Sequence, residues 1–140
     1  MDEAMEVLTL VQTGKRDVVP IIQADAPGGN YWKMLDNFVR EELLGGGMIS
    51  PEDLHLYSVT EDYQEAADEI LQFYKNYHSM RYVGRDLVLR FKQPLSESAL
   101  EQVNTDFADI LNSGTFTQTG RLDDEQDDPA TNDLTRLVSH

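Results

Sequence analysis

Val18-Val19-Pro20-Ile21-Ile22 is a short apolar run, and the segment that follows it decides the fold. A run of this kind reads as a strand buried on both faces, with Pro20 tolerated near its start or on an edge because proline donates no ladder hydrogen bond. Asp25-Ala26-Pro27-Gly28-Gly29-Asn30 supplies a loop. From Tyr31 the apolar positions Trp32, Leu35, Val39 and Leu43 recur at helical spacing until Gly45-Gly46-Gly47 stops the helix. Ser50-Pro51-Glu52-Asp53 combines a capping hydroxyl, proline at the first helical position and acids in the first turn, which predicts one short helical turn. Leu54, Leu56 and Val59 follow as a second strand. Strand, helix and strand with connections of this length make a βαβ unit, whose crossover is right-handed and whose strands are parallel.

Upstream of this unit, Met1, Met5, Leu8 and Val11 recur at helical spacing, and Gly14 before Lys15 and Arg16 ends that helix. Its amphipathic pattern is already running at Met1 with no capping residue ahead of it, so the sequence is expected to begin inside an element. Downstream, Asp62 caps a third helix with Tyr63, Ala66, Ala67, Ile70, Tyr74 and Tyr77 along one face. Leu87 to Phe91 is a candidate strand, and Ser96 opens a fourth helix carrying Leu100, Val103, Phe107 and Leu111. From Gly120 the apolar density falls, and the acidic run 123–128 ahead of Pro129 has the charge density of a solvated segment. The expected organisation is therefore residues 1–78 as the α/β part, 79–119 as a β–α extension and 120–140 as a mobile acidic tail.

The whole chain sets limits on function. Its 140 residues, 40% of them hydrophobic, suffice for an ordinary globular core. It has no cysteine, so neither disulfides nor thiolate metal sites are available, and a reducing, cytoplasmic setting is the natural expectation. No apolar run approaches the length of a membrane helix, and Met1-Asp2-Glu3 does not start a signal peptide. A formal charge of −15 repels nucleic acid and anionic lipid surfaces, so neither is an expected partner. The same field disfavours small anions, so a nucleotide site must be built locally from backbone N–H groups or a few cations.

Few residues announce chemistry on their own. Gly28-Gly29-Asn30 lacks the spacing of a dinucleotide loop and reads as a turn. Gly45-Gly46-Gly47 stands at a helix end, where the dipole repels phosphate. His55, His78 and His140 are too widely spaced for a zinc site, so no metal and no cofactor is expected. His78, Arg81 and Arg85 form the one local basic cluster, a candidate anion or effector site, although surface cations that merely offset an acidic protein look the same in sequence. Tyr63, Tyr74 and Tyr77, at helical spacing, fit a core or an interface.

The segment Asp2-Glu3-Ala4-Met5-Glu6-Val7-Leu8-Thr9-Leu10-Val11-Gln12-Thr13-Gly14 resembles the helix after the glycine-rich loop of the Lonely-guy (LOG) family, often labelled lysine-decarboxylase-like, where the motif reads P-G-G-x-G-T-x-x-E. Met1 and Asp2 fill the two variable positions and Glu3 is the closing glutamate. The strand near Ile21, the Tyr31-Trp32 helix start, Gly47-Met48-Ile49-Ser50-Pro51-Glu52-Asp53 and the strand–helix pair through Tyr77 continue the match, which covers residues 1 to about 78. Residues 77–84, with the strand and helix after them, look like the C-terminal extension of a longer bacterial branch. The resemblance implies a doubly wound, Rossmann-like parallel sheet, of which this chain supplies part, with a C-terminal β–α extension. It implies cleavage of the N-glycosidic bond of nucleoside 5′-monophosphates to base and ribose 5-phosphate, with Glu3 as the catalytic carboxylate and Glu6, one turn on, as a substrate-binding support. A glutamate in a first helical turn also serves simply as a dipole partner. The phosphate loop, the catalytic arginine and the first strands of the family are absent from these residues, so the chain is expected to hold half a site, to be inactive alone and to associate, as a homodimer or further, through unpaired strands and helix faces. A different class of reading is a non-catalytic interaction or regulatory module. Lysine decarboxylation itself finds no support, because nothing here resembles a cofactor-binding lysine context.

Overall fold

The computed structural model describes residues 1–111, 113–125 and 129–139. It is a mixed α/β protein that divides into two compact units, Met1–Phe73 and Tyr74–His140. Its elements match part of a Rossmann-like fold in the first unit, with an antiparallel sheet in the second.

The first unit opens with α1 (Asp2–Gln12), whose Val11 is buried while Asp2, Glu3 and Glu6 face solvent. Strand β1 (Ile22–Ala24) pairs in parallel with β2 (Ser58–Thr60), in the register Ile22 to Ser58, Gln23 to Val59 and Ala24 to Thr60. The parallel pairing is the one the βαβ spacing requires, but the strands are shorter and later than the apolar runs suggest. Pro20 cannot donate to a ladder, so pairing begins after it, with Ser58 N–H donating to Ile21 O at 3.0 Å. Likewise Leu54 and Leu56 belong to a 3-10 helix, Pro51–Leu56, and not to the strand. The Ser50 N–H donates to Asp53 Oδ2 at 2.8 Å, and Pro51 has its φ preset, so the capped turn runs on for six residues before the chain extends.

Between the strands, α2 (Tyr31–Phe38) continues into a π-helical stretch, Val39–Leu44. Leu35 and Val39 point into the core. The glycine run ends the helix as expected: Gly47 adopts φ +70°, a conformation costly for residues with a Cβ, and its N–H returns to Leu44 O at 3.0 Å. Helix α3 (Tyr63–Asn76) is capped by Asp62, which accepts the Gln64 N–H at 2.7 Å. Its expected apolar face is not a core face. No α3 residue is buried, Tyr63 is 80% exposed, and Tyr77 lies beyond the helix.

The second unit departs most from expectation. Beside the expected strand and helix it has three further strands, making a four-stranded antiparallel sheet ordered β3-β4-β6-β5 from β3 (Tyr77–Val83), β4 (Asp86–Phe91), β5 (Phe116–Thr119) and β6 (Thr135–Ser139). The hairpin β3–β4 turns at Gly84, φ +62°, with Val83 opposite Asp86. Helix α4 (Glu97–Asp106) starts where Ser96 predicts, the Ser96 hydroxyl accepting the Ala99 N–H at 3.2 Å. The side chain of Asn104 on α4 clasps the backbone of Phe116 on β5, accepting its N–H at 2.7 Å and donating to its carbonyl at 3.0 Å.

The described residues of 120–140, which are 120–125 and 129–139, are packed and not the mobile tail that their composition suggests. β6 lies between β4 and β5, and Arg136, Leu137 and Val138 are buried at 0, 3 and 1% exposure. Glu125, one of the acidic run, is 4% exposed. Its Oε1 accepts Arg90 Nε at 3.0 Å and Nη2 at 2.5 Å, its Oε2 accepts Arg136 Nε at 2.8 Å, and the Leu122 N–H adds a fourth bond at 3.1 Å. Paired charge adds to the burial of Leu137 and Val138 in holding the segment down. Residues 126–128 of the acidic run lie outside the described residues.

Candidate functional site

The two parallel strands of the first unit end on the same side, and the polar side chains gather there. Asp25, directly after β1, is 8% exposed. Its carboxylate accepts the Trp32 N–H at 3.1 Å and the Lys33 N–H at 3.2 Å, so the start of α2 is capped from across the loop and not by Asn30. After β2, Glu61 accepts the Gly28 N–H at 2.9 Å and pairs with Lys33. Gly28, at φ +76°, and the Gly29 N–H bond to Ala26 O at 2.7 Å make residues 26–29 the turn their sequence suggests. Beside it opens a cleft of about 690 Å³ bordered by Pro27, Thr60 and residues 61–65 at the start of α3. Thr60 donates to Glu65 and accepts the Asp62 N–H at 3.0 Å.

Carboxylates therefore rim the carboxyl ends of the strands, and Lys33, the nearby cation, is already committed to Glu61. Such a rim accepts hydrogen bonds from hydroxyl groups and repels phosphate. Asp25, Glu61 and Lys33 are absent from the residues that the sequence singles out. The signal that could have found them is position: acidic residues immediately after parallel strands stand where open α/β sheets bind ligands.

Glu3 and Glu6 sit on the first two turns of α1, their side chains exposed and without a hydrogen bond or ion pair among the described residues. At the other end of that helix, Gln12 donates to Asp53 Oδ1 at 2.9 Å, tying α1 to the 3-10 helix. On α2, Asp36 accepts the Tyr57 hydroxyl at 2.7 Å and Arg40 Nε at 2.8 Å. Burial works to raise the Asp36 carboxyl, but the bonds from Arg40 and Tyr57 prevail and hold it below its ordinary value, while burial and that same bond push the Tyr57 phenol up.

The basic cluster falls in the second unit. His78 stands at a bulge in β3 with its Nδ1 2.9 Å from Ser79 Oγ, Arg81 is opposite Val88, and Arg85 is in the hairpin turn. The three are strung along one edge of the sheet and do not converge on a point. His55 is exposed on the 3-10 helix, and His140 lies outside the described residues. Among the described residues no three histidines, aspartates or glutamates group as a metal site, and no helix is long and apolar enough to cross a membrane.

Comparison with known proteins agrees with the first unit. The family model described as possible lysine decarboxylase matches residues 1–70. No curated protein matches the chain significantly. The match spans α1, the β1–α2–β2 crossover and the first half of α3, the same elements that carry the resemblance in the sequence. The chain belongs to the possible lysine decarboxylase family, which is the LOG family.

Proposed function

We propose that the protein is a nucleotide-handling member of this family whose intact form hydrolyses the N-glycosidic bond of nucleoside 5′-monophosphates. The observation that carries the reading is the family match over residues 1–70; the resemblance of residues 2–14 to the segment after the glycine loop, with Glu3 as its closing glutamate, and the exposure of Glu3 and Glu6 without side-chain partners among the described residues support it. A glutamate held in an ion pair would have no charge to spare. In the proposed reaction the bond between C1′ and the base breaks with its electron pair leaving on the base, and positive charge develops on the ribose. The Glu3 carboxylate stabilises that charge and orients the attacking water, whose oxygen bonds C1′ while its proton is released. Glu6 supports the substrate one turn on. The phosphate is held by a glycine-rich loop at a helix N-terminus, and the 140 residues contain no P-G-G-x-G-T. The chain by itself therefore supplies half of the site. The setting is cytoplasmic and the partner is the nucleoside monophosphate.

The test is release of free base from adenosine monophosphate by the intact, loop-bearing protein. Glu3→Gln lowers turnover by a factor on the order of a hundred or more, the loss seen when one transition-state charge contact is removed, and leaves the circular dichroism spectrum unchanged. Undiminished turnover removes Glu3 from the mechanism, and absence of base release from the wild-type protein removes the reaction.

A further inference from the structure

β3 is the outer strand of its sheet, seven residues long and paired with β4 alone among the described residues. In a hairpin closed by a two-residue turn, the flanking pair, here Val83 and Asp86, is the hydrogen-bonded one, and bonded and non-bonded pairs then alternate. Arg81 and Val83 accordingly bond to β4, while the N–H and C=O groups of Met80 and Tyr82 point out of the sheet. The other side of the ladder agrees: Leu87, opposite Tyr82, turns its N–H the other way, to Ser139 Oγ at 3.1 Å. The outward groups of Met80 and Tyr82 are a template for one more strand.

The charge along this edge differs from that of the protein. In a chain of net charge −15, β3 and the two turn residues carry Arg81 and Arg85 with His78 and no acid, the nearest carboxylate in sequence being Asp86 at the start of β4. Edge strands often carry charge simply to discourage pairing. Arg81 departs from that pattern, because its Nε is shielded from solvent and has no hydrogen-bond partner, a state a guard charge pointing into water does not show. Strands rise about 3.4 Å per residue, so His78 and Arg81 are roughly 10 Å apart along the edge, with Arg85 farther on. One phosphate cannot span them, whereas carboxylates spaced along an extended peptide can. A second copy of β3 brings its own cations against these.

We propose that the outer edge of β3 is a docking site for an acidic extended peptide, which adds as a fifth strand through the backbone of Met80 and Tyr82 and presents carboxylates to His78, Arg81 and Arg85. The long-range field of the protein opposes an acidic ligand, but at physiological salt it is screened beyond about 8 Å, so the local cations govern the encounter.

The experiment uses the full chain and a fluorescent octapeptide alternating valine and glutamate, read by anisotropy at 0.15 M salt, with the lysine-for-glutamate peptide as control. The acidic peptide binds and the lysine peptide does not. Tyr82→Pro removes an outward N–H that the hairpin itself does not use, and weakens binding at least tenfold. Arg85→Gln, a turn substitution that leaves the sheet intact, weakens it several-fold. Binding unaffected by Tyr82→Pro overturns strand addition and leaves only general electrostatics. Preference for the lysine peptide, or no binding of the acidic one, overturns the proposal outright. Binding of inorganic phosphate itself at millimolar concentration, lost in Arg81→Gln and with the acidic peptide unbound, overturns the proposal and assigns the cations to a small anion.

Discussion

At the scale of single residues, Glu125 carries the clearest energetic consequence. Burial pushes its carboxyl up, yet the guanidinium bonds from Arg136 and Arg90 and the Leu122 N–H outweigh burial and hold it at about 2, below the ordinary 4.5. A carboxyl whose folded value is depressed stabilises the fold fully above the unfolded value, and loses that contribution as pH falls through the folded one. The window here runs from about 4.5 down to about 2. Glu125→Gln strands two arginines that cannot shed their protons, and a broken buried pair of this kind costs about 3–5 kcal/mol at pH 7. Urea unfolding measures that loss. The variant also loses stability less steeply than the wild type on acidification below pH 4.5, and parallel acid slopes contradict the assignment. Glu125 is not legible in the sequence, because its partners lie 35 and 11 residues away and nothing local distinguishes it from its acidic neighbours. The outward placement of Glu3 and Glu6 is legible, since a 3.6-residue period fixes which side of α1 faces outward.

At the scale of elements, local chemistry speaks clearly wherever a cap or breaker sets the boundary. Asp62, Ser96, Gly47 and the Ser50-Pro51 turn each stand where the sequence places them. Apolar density misleads where burial comes from polar groups: β6, with Arg136 at 0% exposure, resembles a tail in sequence because its strand follows an acidic run. Strand β3 is hidden because His78, Ser79 and Arg81 interrupt its apolar positions. Deleting residues 135–140 consequently removes the strand between β4 and β5, and the tyrosine near-ultraviolet signal of the second unit collapses; survival of that signal restores the tail. In the first unit, Asp25→Ala leaves the N–H groups of Trp32 and Lys33 without their acceptor and costs about 2 kcal/mol in thermal or urea unfolding, whereas Asn30→Ala, whose side chain caps nothing, costs little. Equal losses in the two variants contradict capping from across the loop.

At the scale of the whole molecule, the first unit holds a parallel sheet of only two strands and leaves an apolar face of α2 exposed. Parallel sheets are ordinarily covered and extended on both sides. On α2, Tyr31, Met34 and Phe38 are 53, 63 and 52% exposed, and with Met1 and Leu35 they line an apolar groove of about 390 Å³. Surfaces of this kind drive association. Light scattering is expected to find the chain as a dimer or larger, and Met34→Glu with Phe38→Glu to shift it toward monomer; a wild-type monomer contradicts this. In the proposed reading these residues supply Glu3 and Glu6 to a nucleotide site and no phosphate-holding glycine loop. Calorimetric titration of adenosine monophosphate into the 140-residue chain tests it most directly. No binding at micromolar concentrations is expected, and a micromolar dissociation constant would contradict the proposed reading by requiring a complete site within these residues.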